Sequence, residues 1–147
     1  MSEPTQSDIN RCKNNLIGAL KTMKNGMPSY HSYCGVIPLF SGTCPYCAAN
    51  HKKCDECGYS RTHGGKCEDH YSTWWRLAVD AMGRMATFKD TDAVDATGIE
   101  IVCERYLGLF SHEMTLDEFM DCKRAFLREV SIYFPNSDEF RVVLEEY

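Results

Sequence analysis

Apolar residues recur every three or four positions in two regions of the chain, residues 7–27 and residues 71–147. This spacing is typical of amphipathic helices that bury one face. In the first region, Ser7 is the predicted N-cap, and Asn25-Gly26 followed by Pro28 ends the helix. The predicted buried face consists of Ile9, Cys12, Leu16, Leu20 and Met23.

The second region predicts four further helices. The first begins at Ser72 or Thr73, and the second covers residues 92–110. Thr115 and Glu118 have the spacing of a capping box that opens the third, and Ser137 caps the last. The predicted buried positions are Trp74, Ala78, Met82 (or Ala81), Met85 and Phe88, then Val102, Tyr106 and Leu109, then Leu116, Phe119, Met120, Leu127, Val130 and Phe134, and finally Phe140, Val143 and Leu144.

Residues 28–70 lose the helical period and are rich in Gly, Pro, Cys and His. Their one apolar run, residues 36–40, predicts a short strand interrupted by Pro38. The predicted fold class is therefore mainly α, a helical bundle with an irregular, metal-held, cysteine-rich loop module. We expect one domain over residues 1–147, composed of the N-terminal helix (7–27), the cysteine-rich module (28–70) and an acidic helical segment (71–147).

Charge is distributed unevenly. Residues 1–70 carry eight Lys/Arg against six Asp/Glu, whereas residues 71–147 carry eight against fifteen, giving net charges of +2 and −7. Nucleic-acid binding depends on Lys and Arg neutralising phosphates, so any such role falls to residues 52–66 of the first half. No apolar run approaches the ~20 residues of a membrane span, and the polar N-terminus lacks a secretory signal. We expect a cytoplasmic protein that does not enter membranes.

Cysteine and histidine spacing supplies the candidate chemistry. From His31 to His70 the pattern is H-x2-C-x9-C-x2-C-x6-C-x2-C-x9-C-x2-H, which reads the same in both directions. A two-residue spacer lets one turn present two thiolates to an ion at the ~2.3 Å Zn–S distance. Two such pairs with further ligands nearby predict a metal site. Its predicted ligands are drawn from Cys44, Cys47, Cys54, Cys57, Cys67 and His70.

Spacing leaves three ligand partitions open. One site contains both pairs: Cys44, Cys47, Cys54 and Cys57. Alternatively, Cys54, Cys57, Cys67 and His70 close one site while Cys44 and Cys47 close another with Cys34 and either His31 or His51. In the third partition, Cys67 replaces one cysteine of the two pairs. We favour a site of Cys44, Cys47 and Cys57 with either Cys54 or Cys67.

Zinc is the predicted ion, because thiolate and imidazole ligands suit it and a closed ligand set is structural. An iron–sulfur cluster is the alternative, since four cysteines can hold one. The isolated Cys12, Cys103 and Cys122 are predicted to be small apolar residues on helices rather than ligands.

Two resemblances bear on function. Residues 36–41 with CPYC (44–47) resemble the active-site region of glutaredoxins, which implies thiol redox chemistry, although a second C-x2-C pair follows here instead of an amphipathic helix. More broadly, residues 44–75 resemble the zinc-ribbon or zinc-knuckle-like cysteine-rich modules of small prokaryotic and viral proteins. That resemblance implies metal binding without implying a reaction.

The leading hypothesis is a non-enzymatic, zinc-stabilised protein that binds another protein as a regulator, for example an inhibitor or adaptor of a larger machine. A nucleic-acid-binding zinc module is the first alternative, and an iron–sulfur or thiol redox protein is the second.

Overall fold

The computed structural model describes residues 3–50, 57–59, 63, 65, 71–86 and 94–147. These residues are mainly helical, and no strand occurs among them. A short 3-10 turn covers Ser41–Thr43. The helices are α1 (Gln6–Lys24), α2 (Tyr30–Cys34), α3 (Pro45–Ala49), α4 (residues 73–86), α5 (Ala96–Leu109), α6 (Leu116–Ser131) and α7 (Asp138–Leu144).

Side-chain capping fixes where the two longest helices begin. Thr115 and Glu118 form the predicted capping box at the start of α6. Helix α1 begins two residues earlier than predicted, because Thr5 rather than Ser7 is the N-cap, and Asp8 completes a second capping box. In both boxes the threonine hydroxyl accepts from the backbone N–H three residues on, and the acidic side chain accepts from the threonine N–H.

Helix α5 packs between α1 and α6. Helix α2 contacts the second half of α4, and α7 contacts both α4 and α6. Every apolar position predicted for α1 is buried. In α5, Val102 and Tyr106 are buried as predicted, but Leu109 is exposed. Because α5 begins at Ala96 after an Asp95 N-cap, Phe110 and not Leu109 continues the buried face. No helix among the described residues is long and apolar enough to cross a bilayer.

Helix α4 is irregular. It is α-helical at Thr73–Trp75, π-helical at Arg76–Ala81 and α-helical again at Met82–Ala86, with Ser72 as the predicted cap. A π-helical turn changes the angular position of every later residue, so a uniform 3.6-residue period places part of the buried face wrongly. Met85 and Ala81, the predicted alternative to Met82, are fully buried as predicted, and Leu77 is fully buried as well, whereas the predicted Trp74, Ala78 and Met82 are half-buried. Phe88 lies outside the described residues.

The predicted strand at residues 36–40 is wrong. The N–H groups of Val36 and Ile37 both donate to the carbonyl oxygen of Tyr33, and Leu39 donates to Ile37 at 2.7 Å. Pro38 has no N–H to donate. With its donors used locally, the segment is a series of turns, and Ile37 and Leu39 are nevertheless buried.

We expect Gly98→Ala to destabilise the protein by about 1–3 kcal/mol, because overpacking forces neighbouring side chains out of position. A Cβ atom at Gly98 would lie 2.6 Å from Cδ1 of Tyr133 and 2.9 Å from the carboxylate of Asp95. Gly108→Ala, in the same helix, is the control: nothing lies within 4 Å of its Cβ position. Thermal denaturation should show a lower melting temperature for Gly98→Ala alone, and equal effects of the two substitutions would contradict this packing.

Candidate metal centre

The first C-x2-C pair lies at the beginning of α3. Cys44 follows the Ser41–Thr43 turn and is the N-cap residue of the helix, Pro45 is its first residue, and Cys47 lies one turn further on. The Cys47 thiol and the backbone N–H groups of Tyr46 and Cys47 all donate hydrogen bonds to the Cys44 sulfur. The two thiols are therefore in contact, and three donors converge on one of them.

A buried lysine fixes the residue that precedes the pair. The side chain of Lys123, on α6, is fully buried, and its Nζ donates to the carbonyl oxygen of Thr43 at 3.0 Å and to Thr43 Oγ1 at 3.2 Å. The same Nζ lies 5.2 Å from the centre of the Tyr147 ring, within cation–π range. Thr43 is itself fully buried, so α6 and the start of α3 are tied together inside the protein.

Two other helices hold the segment before the pair. The indole N–H of Trp74, on α4, donates to the carbonyl oxygen of Leu39 at 2.7 Å. The Asn15 side chain, on α1, donates to the carbonyl oxygen of Gly42 at 2.8 Å. Side chains from α4, α1 and α6 therefore bind the carbonyl oxygens of Leu39, Gly42 and Thr43, and these contacts fix the position of the cysteine pair that follows.

These surroundings lower the pKa of the Cys44 thiol from 9.0 to about 6. The hydrogen bond from the Cys47 thiol is the largest cause; the Lys123 ammonium and the backbone N–H groups add to it, and burial acts in the opposite direction. At neutral pH, Cys44 is therefore mainly a thiolate. The thiolate is the form that binds metals and attacks electrophiles.

The isolated cysteines behave differently. Cys12 and Cys103 are buried as predicted, and Cys122 is half-buried. Burial raises the pKa of Cys12 and Cys122 to about 11, and that of Cys34 and Cys103 to about 12. All four are neutral thiols at physiological pH, and Cys34, one of the alternative ligands, belongs to the apolar core.

The second C-x2-C pair is represented by Cys57, which is buried. Two residues later, the Tyr59 ring packs 6.0 Å from the Tyr46 ring, which lies between Cys44 and Cys47. Burial is the main reason that the pKa of Tyr46 is raised, and the negative charges of Glu3, Cys44 and Asp117 contribute. Residues 57–59, which include one cysteine of the second pair, therefore lie against α3.

The remaining predicted ligands, Cys54, Cys67 and His70, lie outside the described residues, as does the alternative ligand His51. Among the residues that are described, no three His, Cys, Asp or Glu side chains are close enough together to hold an ion. The ligand set and its partition thus stay predictions. The same applies to nucleic-acid binding through residues 52–66, whose basic residues fall in the undescribed stretches.

Lys123 is the residue near the site that the sequence analysis did not single out. It lies four positions after Phe119 and four before Leu127, on the apolar face predicted for α6. A charged residue at a buried helical position needs polar partners, so this placement is a signal that the sequence contains. Its partner, Thr43, is 80 positions away in the sequence, and no local sequence pattern predicts the contact.

The chain matches no family model, no curated protein and no solved structure. The candidate centre is therefore interpreted from its own geometry.

In metal-free protein, we expect Cys44 to be the first cysteine to react with iodoacetamide as the pH is raised. Its reactivity should rise with a midpoint near pH 6, since the pKa is about 6, whereas Cys12, Cys34 and Cys103 should react only at strongly alkaline pH or on unfolding. Peptide mass spectrometry after timed alkylation identifies the modified residue. A midpoint for Cys44 near its ordinary pKa of 9.0 would contradict the assigned environment.

Replacing Lys123, which carries the buried ammonium, should change the pH midpoint of Cys44 alkylation. We expect Lys123→Met to raise the alkylation midpoint of Cys44 by about one pH unit, because an attractive positive charge is lost. Lys21→Met, which removes an exposed cation of α1, is the control and should leave the midpoint unchanged. If both variants titrate as the unmodified protein does, Lys123 does not act on Cys44.

Proposed function

We propose that this chain is a zinc-stabilised regulatory protein that binds another protein, and that Cys44 and Cys47 supply two thiolates to a structural zinc site. The observation that carries the proposal is the contact between these two thiols, one of them ionised at neutral pH. Zinc binds deprotonated cysteines, and a thiolate that is already formed favours metal binding at neutral pH.

The second pair supports a shared site. Packing of Tyr59 on Tyr46 brings the segment that contains Cys57 next to α3. Because Cys44, Cys47 and Cys57 are not close enough together to hold an ion among the described residues, the proposal assigns Cys44 and Cys47 as two ligands and draws the others from Cys54, Cys57, Cys67 and His70. Such a site would stabilise residues 44–70, which contribute few apolar side chains of their own.

The surface supports a protein partner. Ile101 and Leu109 on α5, Ile132 after α6 and Val142 on α7 are large apolar residues that expose about half or more of their surface. They lie in the half of the chain whose net charge is −7. A protein partner that covered some of these side chains would remove their apolar surface from water, which favours association.

Metal analysis of anaerobically purified protein, with an absorption spectrum, tests the proposal. We expect about one zinc per chain and no visible absorption band. Iron with acid-labile sulfide and visible absorption would contradict zinc and favour an iron–sulfur cluster.

We expect Cys47→Ser to lose the zinc and to melt at a lower temperature, because one ligand is removed. A chelator should lower the melting temperature of the unmodified protein and have no further effect on Cys47→Ser. Cys122→Ser, which replaces a half-buried cysteine on α6, is the control and should retain its zinc. Zinc retained at full stoichiometry by Cys47→Ser would exclude Cys47 as a ligand.

The lowered pKa of Cys44 favours a second candidate, thiol–disulfide exchange. In that reaction, the Cys44 thiolate attacks a small disulfide and releases one thiol; Cys47 then displaces the second thiol and closes a Cys44–Cys47 disulfide. Metal-free purified protein that forms this disulfide stoichiometrically with oxidised glutathione would favour the second candidate. Zinc-loaded protein whose Cys44 resists both alkylation and oxidation would favour the first.

A further inference from the structure

A cavity of about 140 Å³ lies beside the candidate metal centre. It is bounded by α3, by the segment after Cys57, by the first turns of α6 and by the end of the chain. A cavity of roughly 150 Å³ admits a ring of the size of benzene, so a planar group of about six heavy atoms fits. The described residues that line it are Tyr46, Tyr59, His63, Asp117, Met120, Asp121, Arg124 and Tyr147.

Aromatic rings form one side of the cavity. Tyr59 is at their centre: its ring is 6.0 Å from that of Tyr46 and 5.5 Å from that of Tyr147, at inclinations of 46° and 55°. The His63 ring stacks on Tyr59 at 3.7 Å and is nearly parallel to it, and the His63 carbonyl oxygen accepts from the N–H of Thr73. The inclined rings therefore form a concave wall that is anchored to α4.

Aromatic faces attract cations. Tyr147 already does so within the protein, because the ammonium of Lys123 lies 5.2 Å from its ring centre. A guanidinium group also stacks on aromatic rings more readily than an ammonium group does. The wall is thus chemically suited to a planar cation.

Acidic side chains form the other side. Asp117 and Asp121 are one helical turn apart on α6 and face the cavity together with Arg124. The guanidinium of Arg124 pairs with Asp121 at 3.0 Å. Asp117 forms no ion pair with the described part of the chain, so two carboxylates face one guanidinium that is already paired.

Tyr59 and Tyr147 expose only 3% of their surface and Tyr46 is half-buried, so the Tyr46 ring has the most surface left for a ligand. We infer that this cavity binds an arginine side chain of the partner protein, with the guanidinium stacked on the Tyr46 ring and its charge balanced by Asp117. The inference rests on the proposed protein-binding function and specifies the partner: it presents an exposed arginine. The net charge of −7 in residues 71–147 favours a basic partner surface in the same way.

The test is a titration of isotope-labelled, full-length protein, followed by NMR, with N-acetyl-arginine methylamide. The citrulline analogue, which has the same shape without the charge, and the glutamate analogue are the comparison probes. We expect saturable shifts at Met120, Asp121 and Tyr147 with the arginine probe only. No saturable binding, equal binding of the citrulline probe, or preferential binding of the glutamate probe to Arg124 would each overturn the inference.

Matched variants distinguish arginine binding in the cavity from general electrostatic attraction to the acidic protein. Asp117→Asn should weaken arginine binding about fivefold, the effect expected of one charge in a partly exposed site. Asp80→Asn removes the same charge from an exposed position on α4 and should change the affinity less than twofold. Tyr46→Leu should abolish binding that Tyr46→Phe retains. Equal effects of Asp117→Asn and Asp80→Asn would overturn the inference.

Zinc content is measured on the same samples, so that a result against the cavity can be distinguished from a result against the metal site. Zinc-loaded protein that does not bind the arginine probe contradicts the cavity assignment alone. Folded protein that binds the probe but contains no zinc contradicts the metal assignment alone.

Discussion

The fully buried ammonium of Lys123 and its hydrogen bonds to both oxygen atoms of Thr43 fix the residue that immediately precedes the cysteine pair. A buried charge is costly unless it is surrounded by polar or aromatic partners, and here a carbonyl, a hydroxyl and the Tyr147 ring surround it. The arrangement fixes the residue before Cys44 to the middle of α6. It also places a positive charge where it favours the Cys44 thiolate. One lysine therefore links the helical bundle, the geometry of the pair and its ionisation.

The sequence predicts closely where a helix begins when the helix has a strong apolar period and a capping box. Helix α6 begins where Thr115 and Glu118 indicate, since both cap interactions are local in sequence. The predictions were wrong where an irregular helix or an unexpected hydrogen-bond pattern determines the local structure. The π-helical Arg76–Ala81 changes which residues in the first half of α4 are buried, and the N–H groups of Val36, Ile37 and Leu39 donate to carbonyl groups two to four residues earlier rather than to another strand.

For the candidate centre, spacing predicted the contact between Cys44 and Cys47, while the rest of the predicted ligand set stays a prediction. Cys44 and Cys47 are in contact because two intervening residues at the start of a helix place them one turn apart. Spacing does not predict their ionisation, which depends on Lys123 from a distant helix. Nor does it predict the neighbouring cavity, whose rings and carboxylates come from α3, α6, the end of the chain and the segment after Cys57. Such features follow from packing between elements that are far apart in sequence.

Zinc X-ray absorption spectroscopy of the purified protein tests the central claim, that the Cys44–Cys47 pair binds a structural zinc. The account predicts nearest-neighbour scattering dominated by sulfur at about 2.3 Å, with reduced sulfur scattering in residual metal bound to Cys47→Ser. Zinc surrounded only by nitrogen and oxygen at roughly 2.0–2.1 Å, or protein that contains no zinc, would contradict it.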